Sequence, residues 1–179
     1  MIEYIPEILD AGIDSLKVEG RMKTALYVAA VTRTYRKAID DCLESEEKYR
    51  ENLEYYREEI GKCTYRQFTT GFFFQKPDEK TQIYDNNTYI KEYTYLGMID
   101  GQNEEGLYQI EQKNKFSVGE EIEVMKPDGR NILAVVRQIR DGEGNSMESA
   151  PHPKQVLYID LGMELSRYDL LRQMCIRDR

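Results

Sequence analysis

The first third of this 179-residue chain takes its fold from residues 5–23, Ile5-Pro-Glu-Ile-Leu-Asp-Ala-Gly-Ile-Asp-Ser-Leu-Lys-Val-Glu-Gly-Arg-Met-Lys23. The apolar residues before Asp10 recur at helical spacing, and Gly12 follows where a helix commonly ends in a left-handed residue. Residues 13–18 then predict a short strand, which ends at Glu19-Gly20-Arg21. A helix, a tight connection and a strand are therefore expected within this one stretch.

A second helix is predicted to begin after Thr24, whose hydroxyl is a favoured N-cap acceptor. Its apolar side chains form one stripe along about four turns: Tyr27, Val28, Val31, Tyr35, Ala38, Ile39 and Cys42. Residues 44–60 predict one further helix, partly exposed and ended by Gly61. Helix, strand and helix joined by very short loops are typical of an α/β fold built on a parallel sheet.

One strand–helix unit cannot stand alone, because a parallel strand needs neighbours on both sides and helices on both faces. A complete (β/α) barrel takes about 250 residues, whereas this pattern covers only about sixty. We therefore expect residues 1–61 to be the C-terminal end of an α/β, TIM-barrel-like catalytic domain. In this interpretation Met1 is an internal methionine and the upstream part of the barrel is missing.

The pattern changes at Lys62. Residues 62–92 are predicted to be a linker with an aromatic anchor, formed by Phe68, Phe72, Phe73 and Phe74. Residues 93–173 hold five or six short strands separated by glycine turns, one of them over residues 132–139, and predict a small closed or nearly closed β-barrel. Residues 174–179 lack periodicity and are expected to be a non-native tail. The fold class is thus an α+β multidomain fragment.

The charge of the chain limits its partners. Lys and Arg number 25 against 33 Asp and Glu, which gives a net charge of −8. Residues 1–61 and residues 93–173 each carry 9 basic and 14 acidic side chains, net −5 in both cases. Because an acidic surface repels phosphate, the barrel is predicted to be a poor autonomous RNA-binding module.

Several classes of protein are disfavoured by what the sequence lacks. No apolar run approaches the roughly 18 residues of a transmembrane helix, and the first residues do not resemble a signal peptide. Cys42, Cys63 and Cys175 are too scattered for a metal site or a disulfide framework. We expect a soluble, cytoplasmic protein with no membrane partner, and no metal or cofactor bound by these residues.

The candidate catalytic residues are Glu19 and Arg21, which follow the predicted strand directly. Side chains at the C-terminal ends of parallel strands point into the active-site mouth of α/β enzymes. Glu19 is a candidate general base, and the planar guanidinium of Arg21 is suited to holding a carboxylate or a phosphate. The alternative is a Glu19–Arg21 ion pair that only pins the loop. Lys17 would add positive charge for substrate binding, or would be an ordinary surface lysine.

Weaker candidates for substrate contacts lie in the barrel. Asn114 and Lys115 are in a loop that feeds a strand, and such loops say more about fold than about activity. His152, the only histidine, lies between two prolines, where it is a candidate general base or an exposed structural residue. The phenylalanines of the linker would stack on a base or, as we favour, dock the linker on the two domains.

Several motifs together resemble peptidase family U32, the collagenase-like proteins. They are the opening stretch of residues 5–23, Tyr27-Val-Ala, Tyr35-Arg-Lys-Ala-Ile-Asp40, Phe68-Thr-Thr-Gly-Phe72, Glu111-Gln-Lys-Asn-Lys-Phe116 and Ala150-Pro-His-Pro153. The resemblance covers the whole chain except residues 174–179. It implies a barrel-like α/β main domain, of which this chain would hold the last part, and a C-terminal β-barrel similar to those of translation factors.

The resemblance also implies a choice of activities. Family members are named as proteases, while bacterial relatives hydroxylate transfer RNA at the wobble uridine or ribosomal RNA. Related proteins bind an iron–sulfur cluster through four cysteines, none of which can be carried over to this chain, so a cluster would lie upstream of Met1. No cofactor is therefore expected in this fragment.

Three interpretations remain open at this point. The first is the C-terminal part of a bacterial RNA-hydroxylating enzyme, whose partner is tRNA or rRNA bound by the full-length protein. The second is a collagenase-like peptidase that acts on a protein or peptide substrate. The third is a non-catalytic structural or interaction fragment. In each case the barrel is expected to contact the missing catalytic domain, and the fragment alone is expected to be inactive.

Overall fold

The computed structural model describes residues 1–63, 68–74, 76 and 92–175. These residues fall into two compact units, Met1–Glu92 and Tyr93–Arg179. Most of the predicted linker, and residues 176–179 of the predicted tail, lie outside the described residues.

The N-terminal unit is helical. A 3-10 turn, Ile2–Tyr4, leads into α1 (Ile5–Asp10), α2 (Ala25–Glu44), α3 (Glu46–Glu51) and α4 (Leu53–Gly61). The predicted start of α2 is confirmed, since Thr24 Oγ1 accepts a hydrogen bond from the backbone N–H of Tyr27 at 3.2 Å. Gly12 has a φ of 71° just after α1, as expected of a residue that ends a helix.

Two local predictions for this unit are wrong. Residues 13–18 form no strand: they run without regular structure, because a strand requires hydrogen bonds to a neighbour and no described segment pairs with them. The single helix expected over residues 44–60 is instead α3 and α4, separated at Asn52. The assignment of the unit to the end of a TIM-barrel-like domain stays a prediction.

The face of α2 that is buried differs in part from the apolar stripe predicted from the sequence. Its buried residues are Leu26, Ala30, Val31, Thr34, Ala38 and Asp41. Val31 and Ala38 were expected there, whereas Tyr35 and Ile39 are only half-buried and Val28 is exposed. The small side chains of Ala30 and Ala38 let α3 and α4 pack closely on this face, which hydrophobicity alone does not indicate.

A buried carboxylate ties α2, α3 and α4 together. Asp41 on α2 accepts hydrogen bonds from Lys37 Nζ at 2.8 Å and from the Tyr56 hydroxyl of α4 at 2.5 Å. Lys48 Nζ of α3 lies 3.3 Å from the same carboxylate. A buried charge is tolerated only when it is paired and hydrogen-bonded, and Asp41 meets both conditions.

The C-terminal unit is an antiparallel β-structure. Its strands are β1 (Tyr93–Gln102), β2 (Tyr108–Glu111), β3 (Phe116–Ser117), β4 (Glu121–Met125), β5 (Asn131–Val135), β6 (Gln138–Arg140), β7 (Ser146–Met147), β8 (Ser149–Ala150), β9 (Val156–Asp160) and β10 (Leu170–Met174). Eight of them form one sheet in the order β5-β4-β10-β1-β2-β9-β6-β7, and β3 pairs with β8. Met174, assigned to the tail by sequence, pairs with Tyr93.

The connection from β5 to β6 makes this sheet curl. The strand β5 is at one end of the strand order and β6 is near the other, yet only Val136 and Arg137 separate them in sequence. The two ends of the sheet must therefore lie close together, so the sheet is a curled half-barrel. For the same reason the single strand predicted over residues 132–139 is divided in two.

Buried ion pairs lie beside the apolar core of the half-barrel. The core contains Leu96, Ile110, Phe116, Leu157 and Leu171 among others. Lys126 Nζ lies 2.7 Å from Asp169 Oδ2, which also accepts from the backbone N–H of Ser166 at 2.8 Å. The fully buried Arg172 of β10 pairs with Glu123 of β4. These pairs fix β10 to the β4–β5 hairpin.

No helix within the described ranges combines the length and the apolar composition that crossing a bilayer requires.

Replacing Lys126 by Met should lower the free energy of unfolding by about 3–5 kcal/mol, because Asp169 would remain buried without its cation. Urea denaturation measures the loss. Arg130→Met is the matched control, since the Arg130–Asp128 pair is exposed and should contribute less than about 1 kcal/mol. Equal losses for both variants would contradict a stabilising role of the buried pair.

The stability of the N-terminal unit should fall in acid through Asp41. Burial alone would raise the pKa of this carboxyl, but the hydrogen bonds from Lys37 and Tyr56 outweigh it and hold the pKa below its usual 3.8. A carboxyl whose pKa is lower in the folded than in the unfolded state stabilises the fold at pH values above its unfolded pKa. That stabilisation is lost as the pH falls through the folded pKa.

Urea unfolding measured from about pH 5 to about pH 2.5 tests this expectation, because the stability that Asp41 contributes falls as the pH drops below the unfolded pKa of its carboxyl. Asp41→Asn should flatten the pH dependence in this window. Asp40→Asn, which removes an exposed carboxylate from the same helix, should leave it nearly unchanged. The interpretation fails if the two variants show the same pH profile.

Candidate functional site

The two candidate catalytic residues lie on one tight turn before α2. Glu19 Oε1 accepts a hydrogen bond from the backbone N–H of Arg21 at 2.9 Å, and Gly20 O accepts from the N–H of Lys23 at 2.9 Å. The side chains of Lys17, Glu19 and Arg21 are all exposed. The structure therefore brings these three predicted residues together.

The alternative ion pair between Glu19 and Arg21 does not form. The Glu19 carboxylate instead bonds to the backbone of the turn, and the guanidinium of Arg21 pairs with no carboxylate among the described residues. A carboxylate held by its own backbone keeps a defined position while its second oxygen remains available. The Arg21 side chain is left to contact a ligand or solvent.

Gly20 lets this turn approach α2. A Cβ added at Gly20 would lie 2.4 Å from Val28 Cγ2, which is far inside van der Waals contact. The β-branched Val28 side chain has one preferred rotamer in a helix, so it cannot easily move away. The position of Glu19 and Arg21 relative to α2 thus depends on a residue without a side chain.

An apolar groove of about 310 Å³ lies beside residues 13–18. It is lined by Ile8 and Leu9 of α1, by Ile13 and Leu16, and by Tyr35 and Ile39 of α2. Ile13 is 47% exposed, although its side chain is fully apolar. The segment that leads into the candidate turn therefore presents apolar surface and has no strand partner among the described residues.

The docking of the linker phenylalanines on the two units stays a prediction. Phe68, Phe72, Phe73 and Phe74 are between 55% and 81% exposed. The ring of Phe74 contacts that of Tyr4 at a centroid distance of 4.5 Å. Phe68 lines a cavity of the N-terminal unit.

In the C-terminal unit, two loops form one loop junction, residues 112–116 and 150–155. Gln112 is fully buried at its centre and donates through Nε2 to Asn114 O, at 3.1 Å, and to Ala150 O. Its backbone N–H donates to Gln155 O at 2.9 Å. The first loop joins β2 to β3, and the second joins β8 to β9. Because β2 pairs with β9 and β3 pairs with β8, the two loops lie side by side, and the hydrogen bonds of Gln112 connect them.

The loop junction gathers the three barrel residues predicted from sequence. Asn114 has a structural role, since its Nδ2 donates to Tyr95 O at 2.7 Å and fastens the loop to β1. Lys115 and His152 are exposed. The carbonyl of His152 accepts from the N–H of Gln155 at 3.4 Å, which closes a turn over Pro153 and Lys154.

Sequence reasoning missed three residues of the loop junction: Gln112, Lys113 and Lys154. A hydrogen bond and the charge of Lys113 lower the pKa of the Glu111 carboxyl, and the charge of Lys154 adds to this effect. Lys154 therefore lies near Glu111, although it is far away in sequence. The paired lysines of Glu111-Gln-Lys-Asn-Lys-Phe116 were a visible signal for Lys113, but nothing local indicated Lys154.

The cysteines do not fit an iron–sulfur cluster. Cys63 is buried and its thiol donates to Ile60 O at 2.9 Å, Cys42 lies on α2, and Cys175 follows β10 beside Thr94. Across the part of the chain that the structure describes, no three His, Cys, Asp or Glu side chains are grouped as metal ligands. The expectation that a cluster lies upstream of Met1 stays a prediction.

Comparison with known families matches both units. The profile of peptidase family U32 covers residues 1–83, and that of the peptidase family U32 C-terminal domain covers residues 91–172. The chain belongs to peptidase family U32. The predicted resemblance is therefore confirmed, and the curled antiparallel sheet lies within the segment that matches the C-terminal domain of the family.

Three relatives show the range of names within the family. tRNA hydroxylation protein P1 of Bacillus subtilis is 33% identical over 97% of this chain and 41% of its own length. tRNA hydroxylation protein P of Escherichia coli is 29% identical over 95% of this chain and 37% of its own. A collagenase of Porphyromonas gingivalis is 28% identical over 78% of this chain and 39% of its own length. The chain spans about two fifths of the length of these U32 relatives.

Replacing Gly20 by Ala should lower the free energy of unfolding by about 1–3 kcal/mol, because the new methyl group would overlap Val28. Val28→Ala should remove most of this penalty, so the double variant should be little less stable than Val28→Ala alone. Urea unfolding of the four proteins gives the coupling energy. Gly101→Ala is the control, since a Cβ there meets nothing within 4 Å. Additive losses would contradict the close approach.

Proposed function

We propose that this U32 protein is the C-terminal part of an enzyme that hydroxylates transfer RNA at the wobble uridine. The observation that carries the proposal is the extent of similarity to the Bacillus subtilis tRNA hydroxylation protein, which runs through both units over 97% of the chain. The similarity to the Porphyromonas gingivalis collagenase is lower and covers 78% of the chain. An alternative form of this proposal has ribosomal RNA as the substrate, and the gene-disruption experiment below also detects that case.

The groove beside residues 13–18 supports placing this unit in a larger α/β body. A segment with no strand partner among the described residues, next to an apolar groove, is what one strand of a parallel sheet presents when its neighbours are absent. The part of the relatives that this chain does not cover is long enough to supply those neighbours. In such a barrel, residues that follow a strand directly line the active-site mouth.

On this placement the turn of Glu19 and Arg21 faces the substrate. The guanidinium of Arg21, exposed and unpaired with any described carboxylate, would hold a phosphate of the RNA in a bidentate contact. Lys17 would add positive charge to the same rim. Glu19 keeps one carboxylate oxygen on the backbone of the turn and offers the other to a ribose hydroxyl or a substrate proton.

The peptidase alternative has weaker support from the residues. A Cys or Ser nucleophile needs a paired base within hydrogen-bond distance. Cys63 is buried and bonds to a backbone carbonyl, and the exposed His152 has no nucleophile bonded to it among the described residues. Cys63 and His152 therefore supply no such nucleophile–base pair. We also propose that the C-terminal unit contacts the part of the enzyme that this chain does not cover, and that the 179-residue chain alone is inactive.

Disruption of the gene that encodes this chain in its host tests the function. Mass spectrometry of nucleosides from purified tRNA should show that hydroxylated wobble uridine is lost, and a wild-type copy should restore it. Unchanged tRNA with loss of the corresponding ribosomal RNA modification would favour the ribosomal substrate. Unchanged tRNA and ribosomal RNA with a loss of gelatin degradation would favour the peptidase and overturn the proposal.

Arg21→Ala in the complementing gene should lower the restored modification about 10- to 100-fold, because a hydrogen bond to a charged group contributes about 1.5–3 kcal/mol. Arg50→Ala, which removes an exposed arginine paired with Glu46, is the matched control and should restore modification fully. The melting temperature should be equal in both. A large fall in melting temperature with normal modification would show that Arg21 is only structural.

A further inference from the structure

The basic side chains of the C-terminal unit are mostly neutralised by neighbouring carboxylates. Within residues 92–175, six of the nine form ion pairs: Lys113 with Glu111, Lys126 with Asp169, Arg130 with Asp128, Arg140 with Glu105, Arg167 with Asp100 and Arg172 with Glu123. For the other three, Lys115, Arg137 and Lys154, the same described range shows no ion pair. The net charge of −5 on the C-terminal unit therefore does not show which of its cations form no ion pair.

Two of these three cations belong to the loop junction. Lys115 lies in its first loop and Lys154 in its second, and the backbone N–H of Lys154 donates to Gln112 O at 2.7 Å. Lys113 lies in the same loop as Lys115. Arg137 differs, because its guanidinium packs on Gly162, where an added Cβ would lie 1.9 Å from Cζ.

The local charge at the loop junction is positive. The loop junction and the adjoining Glu111 contain three lysines and one carboxylate. The Glu111 carboxylate pairs with Lys113, and the charge of Lys154 acts on it without forming an ion pair. A phosphate approaching this surface would meet Lys115, Lys154 and the His152 ring without first displacing a buried pair.

The loop junction is also rigid. Gln112 and Ala150 are fully buried, and Phe116 is 1% exposed. Lys154 has a φ of 67°, a left-handed conformation that costs energy for a residue with a side chain and persists only where its surroundings impose it. Pro151 and Pro153 restrict the backbone on either side of His152. Lysines held on such a frame lose less entropy on binding than lysines on a loose loop.

We propose that the loop junction binds the phosphate backbone of tRNA, with Lys115 and Lys154 as the phosphate contacts. This inference rests on the proposed function and extends it to the C-terminal unit. Lysine ammonium groups bind phosphate as point charges and release its counterions, without reading base sequence. The acidic remainder of the unit repels the backbone elsewhere, so it orients the RNA toward the loop junction and keeps the affinity modest.

The test is equilibrium binding of the 179-residue chain to a fluorescently labelled tRNA transcript, measured by anisotropy over a range from about 50 to about 200 mM KCl. The double variant Lys115→Gln with Lys154→Gln should raise Kd at least about tenfold, and should reduce the slope of log K against log salt by about 2, one for each lysine.

The matched control is Arg130→Gln with Arg167→Gln, which removes the same charge from paired, exposed residues of the same unit. It should change Kd less than about twofold, with melting temperatures equal for both double variants. Failure of the wild-type chain to bind tRNA at the lowest salt, or equal weakening in both variants, would overturn the inference.

This result is separate from the gene-disruption experiment. Lysine-dependent binding of tRNA together with unchanged tRNA modification in the disrupted strain would reject the proposed function and keep the binding surface. If tRNA modification depends on the gene but the double lysine variant binds tRNA normally, the proposed binding surface is rejected and the proposed function is kept. Competition for the lysines by a gelatin peptide, but not by tRNA, would reject both.

Discussion

The antiparallel pairing of β2 with β9 is the contact on which the loop junction depends. It sets Glu111 opposite Val156, so the chain that leaves β2 and the chain that enters β9 must run side by side. Gln112 then fills the space between them and bonds to both, because a buried amide must find partners for its N–H groups. The loop junction, with its lysines, is a consequence of this pairing.

The N-terminal unit is organised around polar groups as much as around apolar ones. Asp41 draws Lys37, Lys48 and Tyr56 to one point between three helices, and the small side chains of α2 let those helices approach. The turn of Glu19 and Arg21 sits on the outside of this core, positioned by Gly20 against Val28. A helical core thus carries an exposed polar turn.

Net charge is a poor guide to what the C-terminal unit can bind. The sum of −5 disfavours RNA, but it counts paired and unpaired cations alike. Once the ion pairs are assigned, two of the three cations that remain, Lys115 and Lys154, belong to the loop junction. Association with a phosphate backbone depends on local potential at the docking surface, which the pairing of each side chain determines.

Local signals in the sequence determined the features that short segments decide for themselves: the Thr24 cap, the end of α1 at Gly12, and the turns that separate the β-strands. The motifs also determined the family, and Glu19, Arg21, Asn114, Lys115 and His152 as candidates. Only the tertiary structure decided that residues 13–18 lack a strand partner, that residues 132–139 divide between β5 and β6, and that Lys154 lies near Glu111. The physical reason is that strand pairing, burial and ion pairing join residues distant in sequence, and no local pattern records which distant residue will be the neighbour.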